Sequence, residues 1–371
     1  MPNAENSSFI FTVCQIGAEK TLKEEVARNH SDLRFSYSRP GFLTFKAVGP
    51  QKLTPDFALK SIFARTYGIS LGKLDLKNVT EKAKALLENP IQKIRLHIWE
   101  RDRFGPGEEP KKQERQENPE GVKQFTELKN TLFKTVRNLE PDLFYEETLP
   151  KSGDLVLDLI WVEDEEWWLG CHQHGPLHSP YPGGNPEIQM HPDAPSRAYL
   201  KLEEALLWSN APILKDDVAV EIGSAPGGST FALLNRGLKL VGIDPADMHP
   251  IFRRNFREQF KHIQRPVSSV LREELPDSVQ WILLDMNVSP QFSLFAVDRL
   301  VTRMEDSLLG VLLTIKLNDW KMASDIPHML EHIRAMGMTR VRATQLSQNR
   351  QEFFAYGLTP KGVRRLAICR K

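Results

Sequence analysis

Apolar and polar positions alternate differently in the two halves of the chain. Up to residue 170 the apolar stretches are short and mixed in kind. Phe9 to Cys14 is a brief apolar run, Ala18 to His30 has helical spacing with Leu22 and Val26 four apart, and Leu33 to Tyr37 and Phe42 to Ala47 flank the turn signal Arg39-Pro40-Gly41. Ile94, Leu96 and Ile98 alternate with Arg95 and His97, the pattern of a half-buried strand. Arg101 to Gly121 has no periodicity and reads as a solvated loop. Phe125, Leu128, Leu132, Val136 and Leu139 then form one helical stripe, and Leu155 to Trp161 reads as a strand. Strands grouped around helices in this way predict an α+β unit over residues 1–170. Residues 171–192 are turn-rich and are expected to join two domains.

From Val218 onward the pattern is α/β. Val218 to Ile222, Lys239 to Ile243, Trp281 to Asp285 and Gly310 to Ile315 are continuous apolar runs, as buried parallel strands require. Helical stretches separate them at Ser229 to Arg236, Ser293 to Leu308 and Ala323 to Met336, the last with Pro327 in its first turn. Arg340 to Gln345 and Glu352 to Tyr356 predict a closing strand pair. Residues 193–371 are therefore expected to form a Rossmann-like, doubly wound domain with a mostly parallel sheet.

Composition narrows the partners. The 371 residues carry 49 basic and 48 acidic side chains, a net charge of +1, so attraction to a polyanion must come from local clusters. Two such clusters stand out: Arg253, Arg254, Arg257, Lys261 and Arg265, and Lys361, Arg364, Arg365, Arg370 and Lys371. No apolar run reaches the ~20 residues that span a bilayer, and Met1 to Ser8 is polar, so neither a membrane span nor a secretory leader is expected. The three cysteines Cys14, Cys171 and Cys369 are scattered and read as free thiols of a cytoplasmic protein. Cys171, His172, His174 and His178 lack the paired cysteines of a structural zinc site, so no metal is expected. Trp161, Trp167 and Trp168 are expected to pack in the interior.

The chemistry begins where the first parallel strand meets a glycine-rich turn: Glu221, Gly223, Ser224, Pro226, Gly227 and Gly228 lead into a helix, and Asp244 ends the next strand. An acid at that place accepts hydrogen bonds from a ribose diol. The spacing is neither Gly-x-Gly-x-x-Gly nor a P-loop, which points to a nucleoside cofactor without phosphates to cradle, S-adenosylmethionine first among them. Asp285 and Lys316 end two further strands, where a doubly wound sheet forms its ligand crevice, and Lys201 and Glu352 supply opposite charges to balance them.

Ser196-Arg197-x-x-x-Lys201-Leu202-x-Glu204, the Gly223-to-Gly228 turn, Asp285-Met286, Lys316 and Glu352 resemble the RrmJ/FtsJ-like 2′-O-ribose methyltransferases. Pro192-Asp193-Ala194-Pro195 before that element is similar to the RlmM-type branch, which acts on a cytidine ribose of large-subunit (23S) ribosomal RNA. The resemblance implies a catalytic tetrad of Lys201, Asp285, Lys316 and Glu352. It adds Ser196 to the cofactor site, puts Ser268 where the family has an adenine-binding acid, and implies a ferredoxin-like and THUMP-like RNA-binding region at residues 1–170. Arg65, in the Ile-Phe-Ala-Arg element, is a candidate RNA contact, with an ordinary surface arginine as the alternative. Lys316 is the expected base for the 2′-hydroxyl, which requires its pKa to fall. Methylation of another RNA, or RNA binding by an inactive domain, stays open at this point, as does monomer or dimer.

Overall fold

A computed structural model describes residues 8–49, 53–75, 77–85, 87, 92–105, 119–163 and 166–369, with the side chains of 119–125 outside the description. The chain forms two compact units, Met1–Pro186 and Glu187–Lys371.

The first unit contains β1 (Phe9–Val13), α1 (Glu19–Asn29), β2 (Leu33–Arg39), β3 (Phe42–Ala47), β4 (Thr66–Lys73), α2 (Val79–Ala85), β5 (Ile94–Glu100), α3 (Pro119–Leu139), β6 (Leu155–Glu163) and β7 (Glu166–Gln173). One seven-stranded sheet has the order β2-β3-β1-β4-β7-β6-β5, antiparallel except for the β5–β6 pair. The β2–β3 hairpin turns at Gly41, whose φ of +74° suits glycine. Gly170 on β7 is also required: a Cβ there would lie 2.3 Å from the Phe11 ring. In α3, Leu132 and Val136 are buried and Leu139 is half exposed; the expected contribution of Phe125 lies outside the described side chains, as does most of the 101–121 loop.

The division between the units falls at Pro186, inside the 171–192 segment. Two expectations change here. Cys171 to Gln173 are not linker but the end of β7, because they pair with β6 and bury Cys171 completely. Arg65 is not a surface arginine: it is buried, with its Nη1 2.7 Å from Asp102 Oδ2 and its Nε donating to Gly183 O at 2.9 Å. Gly184 accommodates it, since a Cβ there would lie 2.6 Å from Arg65 Cγ.

The histidines of the turn-rich segment join a buried network. Asp158 accepts Trp99 Nε1 at 2.9 Å and sits 2.7 Å from His172 Nδ1, while His97 Nε2 meets Thr148 O at 3.0 Å. Burial pulls His97 down to about 4 and His178 to about 3. Among the described residues no group of three His, Cys, Asp or Glu side chains is placed to hold a metal ion, and no helix is long and apolar enough to cross a membrane. Trp161 is buried against Trp167, their rings 5.9 Å apart and nearly parallel, and Trp168 packs on Tyr37 and Phe42.

The second unit contains α4 (Ala198–Ser209), β8 (Val218–Ile222), α5 (Gly228–Asn235), β9 (Lys239–Ile243), α6 (Ile251–Asn255), β10 (Phe260–Ile263), β11 (Trp281–Asp285), α7 (Pro290–Met304), β12 (Gly310–Lys316), α8 (Ile326–Ala335), β13 (Arg340–Thr344), β14 (Glu352–Leu358) and α9 (Pro360–Cys369). Its sheet has the order β10-β9-β8-β11-β12-β14-β13, parallel apart from β14, which runs against both neighbours. This is the doubly wound, mostly parallel architecture expected. β8 comes first in the chain yet lies between β9 and β11, so the strand order reverses there and opens a crevice at the carboxyl ends. The parallel strands are buried on both faces, as their unbroken apolar runs demand. Beneath them Asp217 accepts Trp281 Nε1 at 2.9 Å and both bonds from Arg365 of α9, at 2.7 and 2.6 Å.

Candidate active site

Register brings the predicted residues together. Ile222 of β8 pairs with Ile243 of β9 and with Leu284 of β11, so the next residue on each strand, Gly223, Asp244 and Asp285, leaves the sheet at one level. Gly223 has φ +81°, and a Cβ on it would lie 2.6 Å from Asp285 O. The turn continues through the cis Ala225–Pro226 bond to Gly227, φ +115°, where a Cβ would strike the Phe252 ring at 2.2 Å. Gly228 opens α5 directly against α4, since a Cβ there would lie 2.4 Å from Ser196 Oγ. Three glycines of the turn are thus fixed by close approach, and Ser196 is the residue pressed onto the third.

Asp244 locks the turn to β9: its Oδ2 accepts Ala225 N–H at 3.1 Å and its Oδ1 accepts Ala246 N–H at 2.8 Å. A carboxylate has about four acceptor positions, so capacity for a diol is left. Ser224 is buried, its hydroxyl 3.5 Å from Met248 Sδ. Glu221 is buried, yet it lines the crevice together with Ser229 and Asp285. It is 1% exposed, its oxygens accept from the Ser229 and Thr230 hydroxyls, and burial pushes its pKa up to about 7. Its observed task is to hold the first turn of α5. Ser268 is exposed on a 3₁₀ turn beyond β10; Arg299 of α7 donates to its carbonyl at 2.6 Å.

Lys316 and Glu352 are directly opposite in the antiparallel β12–β14 ladder, which puts an ammonium beside a carboxylate by register alone. Lys201 reaches them from α4. Its Nζ lies 2.8 Å from Glu352 Oε1 and 3.4 Å from Asp285 Oδ2. Lys316 Nζ lies 3.2 Å from Asp285 Oδ1 and donates to Glu352 Oε2. The four residues close a ring in which each cation touches both anions. A small cleft lies beside it, with Ala198, Lys201, Ser229, Asp285, Thr314 and Phe354 in its wall.

The charges set one another's protonation. Burial lowers the Lys316 pKa, but Asp285 and Glu352 outweigh it and hold it above the ordinary lysine value. Burial raises Glu352, and the two lysines outweigh that and hold it below the usual carboxylate range. The expected depression of Lys316 is therefore absent in the free site, because both of its anionic neighbours are in contact with it.

Two further residues support the site, Glu204 of the Ser196-to-Glu204 element and Asn349. Glu204, one turn after Lys201 and 3% exposed, accepts Ser347 N–H at 2.7 Å and Gln348 N–H at 2.9 Å, fixing the loop before β14. Asn349 caps that loop through Leu346 N–H at 2.9 Å and donates to Glu352 Oε1 at 3.2 Å. Glu204 stood in the sequence element but its task did not; for Asn349 the sequence held only an Asn just before a strand.

The basic clusters behave differently. Arg253, Arg254 and Arg257 are exposed and, among the described residues, carry no ion pair; Arg265 pairs with Glu274 and Lys261 Nζ donates to Glu274 O at 2.7 Å. In the C-terminal group Arg365 is engaged by Asp217 and Lys361 donates to Asp306 O, while Arg370 and Lys371 lie outside the described residues.

Residues 194–338 match the sequence model of the family described as FtsJ-like methyltransferase. Over 365 residues the chain is 25% identical to a Ribosomal RNA large subunit methyltransferase M from Tolumonas auensis, covering 91% of this chain and 93% of that protein. A protein of the same name from Azoarcus sp. is 25% identical over 378 residues, with 95% and 98% covered. Another, from Halorhodospira halophila, is 29% identical over 212 residues, 55% of this chain and 58% of that protein.

Proposed function

We propose that this chain, an FtsJ-like methyltransferase whose cofactor is S-adenosylmethionine, methylates the 2′-hydroxyl of a cytidine ribose in large-subunit (23S) ribosomal RNA. The observation that carries the reading is the closed ring of Lys201, Asp285, Lys316 and Glu352 beside the Gly223 turn. The turn suits this donor: it contains no lysine or arginine to meet a phosphate, and α5 begins at Gly227 without a side-chain cap, leaving its first N–H groups for a ligand.

The donor supplies a methyl group already activated on a sulfonium. The chain has to place a ribose hydroxyl and take its proton. Backbone at Gly223 to Gly228, with Ser224, Ser196 and Pro226 shaping it, would form the cofactor's bed. Asp244 would accept the ribose diol and Ser268 would meet the adenine edge. Lys316 would accept the hydroxyl proton. Asp285 and Glu352 both raise Lys316 in the free site, so a cationic ligand beside Asp285 would weaken one of the two holds and give burial more weight against the remaining one. Lys201 and Glu352 keep Lys316 aimed and fix the hydroxyl.

The first unit would act as a ferredoxin-like and THUMP-like substrate-selecting region, and Arg253, Arg254 and Arg257 would meet phosphates. The chain would work in the cytoplasm on ribosomal RNA. The test is to incubate the protein with labelled donor and total RNA from a strain lacking the enzyme, then map the modified nucleotide. A 2′-O-methylcytidine in 23S RNA is the expected product. Label only in transfer RNA, or RNA bound with no transfer, would overturn the reading.

A further inference from the structure

Two arginines outside the charge ring neighbour it in the fold, Arg197 at the start of α4 and Arg350 on the loop two residues before Glu352. Arg197 caps the start of α4 one turn before Lys201, so both side chains leave the same helix face. Its Nη2 donates to Gln348 Oε1 at 3.2 Å. Gln348 belongs to the loop that Glu204 fixes through two backbone bonds. Arg350 follows on that loop, exposed, with its carbonyl taken by Gln345 Nε2 at 2.8 Å. The two arginines act on each other. Burial, and then the charge of Arg350, pull the Arg197 pKa below its ordinary value, while Glu352 opposes them. Arg197 thus senses both Arg350 and the ring's most buried carboxylate.

The ring itself contains two lysines and two carboxylates and is formally neutral. A ribose 2′-hydroxyl cannot reach Lys316 alone, because the 3′-oxygen and its phosphodiester sit on the adjacent sugar carbon. An anion must therefore settle beside a ring that carries no net charge to hold it. Guanidinium forks match phosphate oxygens in pairs, and two like charges kept close become favourable once an anion lies between them.

We infer that Arg197 and Arg350 clamp the phosphodiester on the 3′ side of the target ribose and so set which hydroxyl faces Lys316. The inference rests on the 2′-O-methylation reading. Gln348 orients the half-buried Arg197 in advance, and the exposed Arg350 closes from solvent. The pair binds substrate and takes no part in proton transfer. The donor's own carboxylate is a second anion of similar chemistry, and the experiment separates the two.

The full-length protein is assayed on an RNA fragment containing the mapped site, with either a normal linkage or an uncharged methylphosphonate 3′ to the target. For the wild type, the neutral linkage should raise KM about tenfold. Arg350→Ala should raise KM about tenfold on the normal fragment and be indifferent to the neutral linkage, with kcat within about twofold. Arg350→Lys should recover part of the loss, and Arg197→Lys should behave as a partial Arg350→Ala. Donor affinity, measured by calorimetry without RNA, should be unchanged in all three. Equal sensitivity of wild type and Arg350→Ala to the neutral linkage would overturn the clamp, as would weakened donor binding. If the wild type transfers no methyl to any ribosomal RNA fragment, the function reading itself fails, before a variant is made, and the clamp falls with it.

Discussion

Replacing Lys316 with methionine separates what this residue does for the fold from what it does for the reaction. The side chain becomes one atom shorter, stays unbranched and loses its charge, so the ring is left with Lys201 against both Asp285 and Glu352. Glu352 is 2% exposed, and removing one partner of a buried ion pair costs roughly 3–5 kcal/mol. Here Lys201 stays 2.8 Å from Glu352 and Asn349 still donates to it at 3.2 Å, which brings the expected loss below that range, to about 2–3 kcal/mol. Denaturant unfolding followed by a probe in the second unit measures it.

Loss of a general base lowers turnover by about 10²–10⁴-fold, so single-turnover methyl transfer should fall by that much while donor binding holds. The double variant Lys316→Met/Glu352→Gln distinguishes the two effects. Its ring is neutral again, with Lys201 facing Asp285, and it should regain about 1–2 kcal/mol of stability and none of the activity. If the double variant recovers turnover along with stability, the single variant failed for structural reasons. If Lys316→Met alone turns over within tenfold of wild type, Lys316 is not the base. In the wild type, Asp285 and Glu352 hold Lys316 above its ordinary value, so kcat/KM should climb about tenfold per pH unit between about 6.5 and 9. A plateau in that window points to another base.

Gly223→Ala forces a Cβ to 2.6 Å from Asp285 O at φ +81°, so it should destabilise the second unit by about 1–2 kcal/mol or more and abolish donor binding in calorimetry. Glu221 has a folded pKa raised to about 7; the unfolded chain loses that proton first, so stability falls as pH rises from about 4.5 to 7. Glu221→Gln should flatten that part of the pH–stability curve, and an unchanged slope would refute the assignment. Arg365→Ala leaves Asp217 with the Trp281 indole and the Leu214 N–H but no cation, and should cost about 2–3 kcal/mol without altering RNA affinity. Changing Arg253, Arg254 and Arg257 together to Ala should leave stability intact and reduce the salt slope of RNA binding by up to about 2 on a single strand, read by fluorescence anisotropy across a salt series.

The readability of this chain follows from what each feature depends on. Val218 to Ile222 and its parallel neighbours were legible because a strand buried on both faces needs an unbroken apolar run. β7 was not: Glu166, Trp167 and Trp168 are half-exposed, Gly170 is present only to admit Phe11, and no alternation survives. Gly223 and Asp244 were legible because a turn and an acid at a fixed interval follow from the topology. Arg65 was misread because nothing local distinguishes an arginine that Asp102 and Gly183 will bury from one left in water. The direction of the Lys316 shift was misread for a related reason. Desolvation of a strand end is foreseeable from sequence, but whether two carboxylates reach that lysine depends on the β12–β14 register and on α4.

That dependence bears on how the reaction can be controlled. Lys201, Asp285, Lys316 and Glu352 come from one helix and three strands, so no local segment can assemble the ring by itself. The ring is also balanced: any ligand that brings charge to one member changes the protonation of the others through contacts of about 3 Å. Glu204 and Asn349 tie the loop before β14 to α4 and to Glu352, so α4, Glu352 and that loop behave as one rigid block. A substrate anchored on this loop is therefore anchored to the ring itself. Lys316, protonated in the free enzyme, should become a base only when the crevice is filled, which protects the site from futile proton exchange while it waits for RNA.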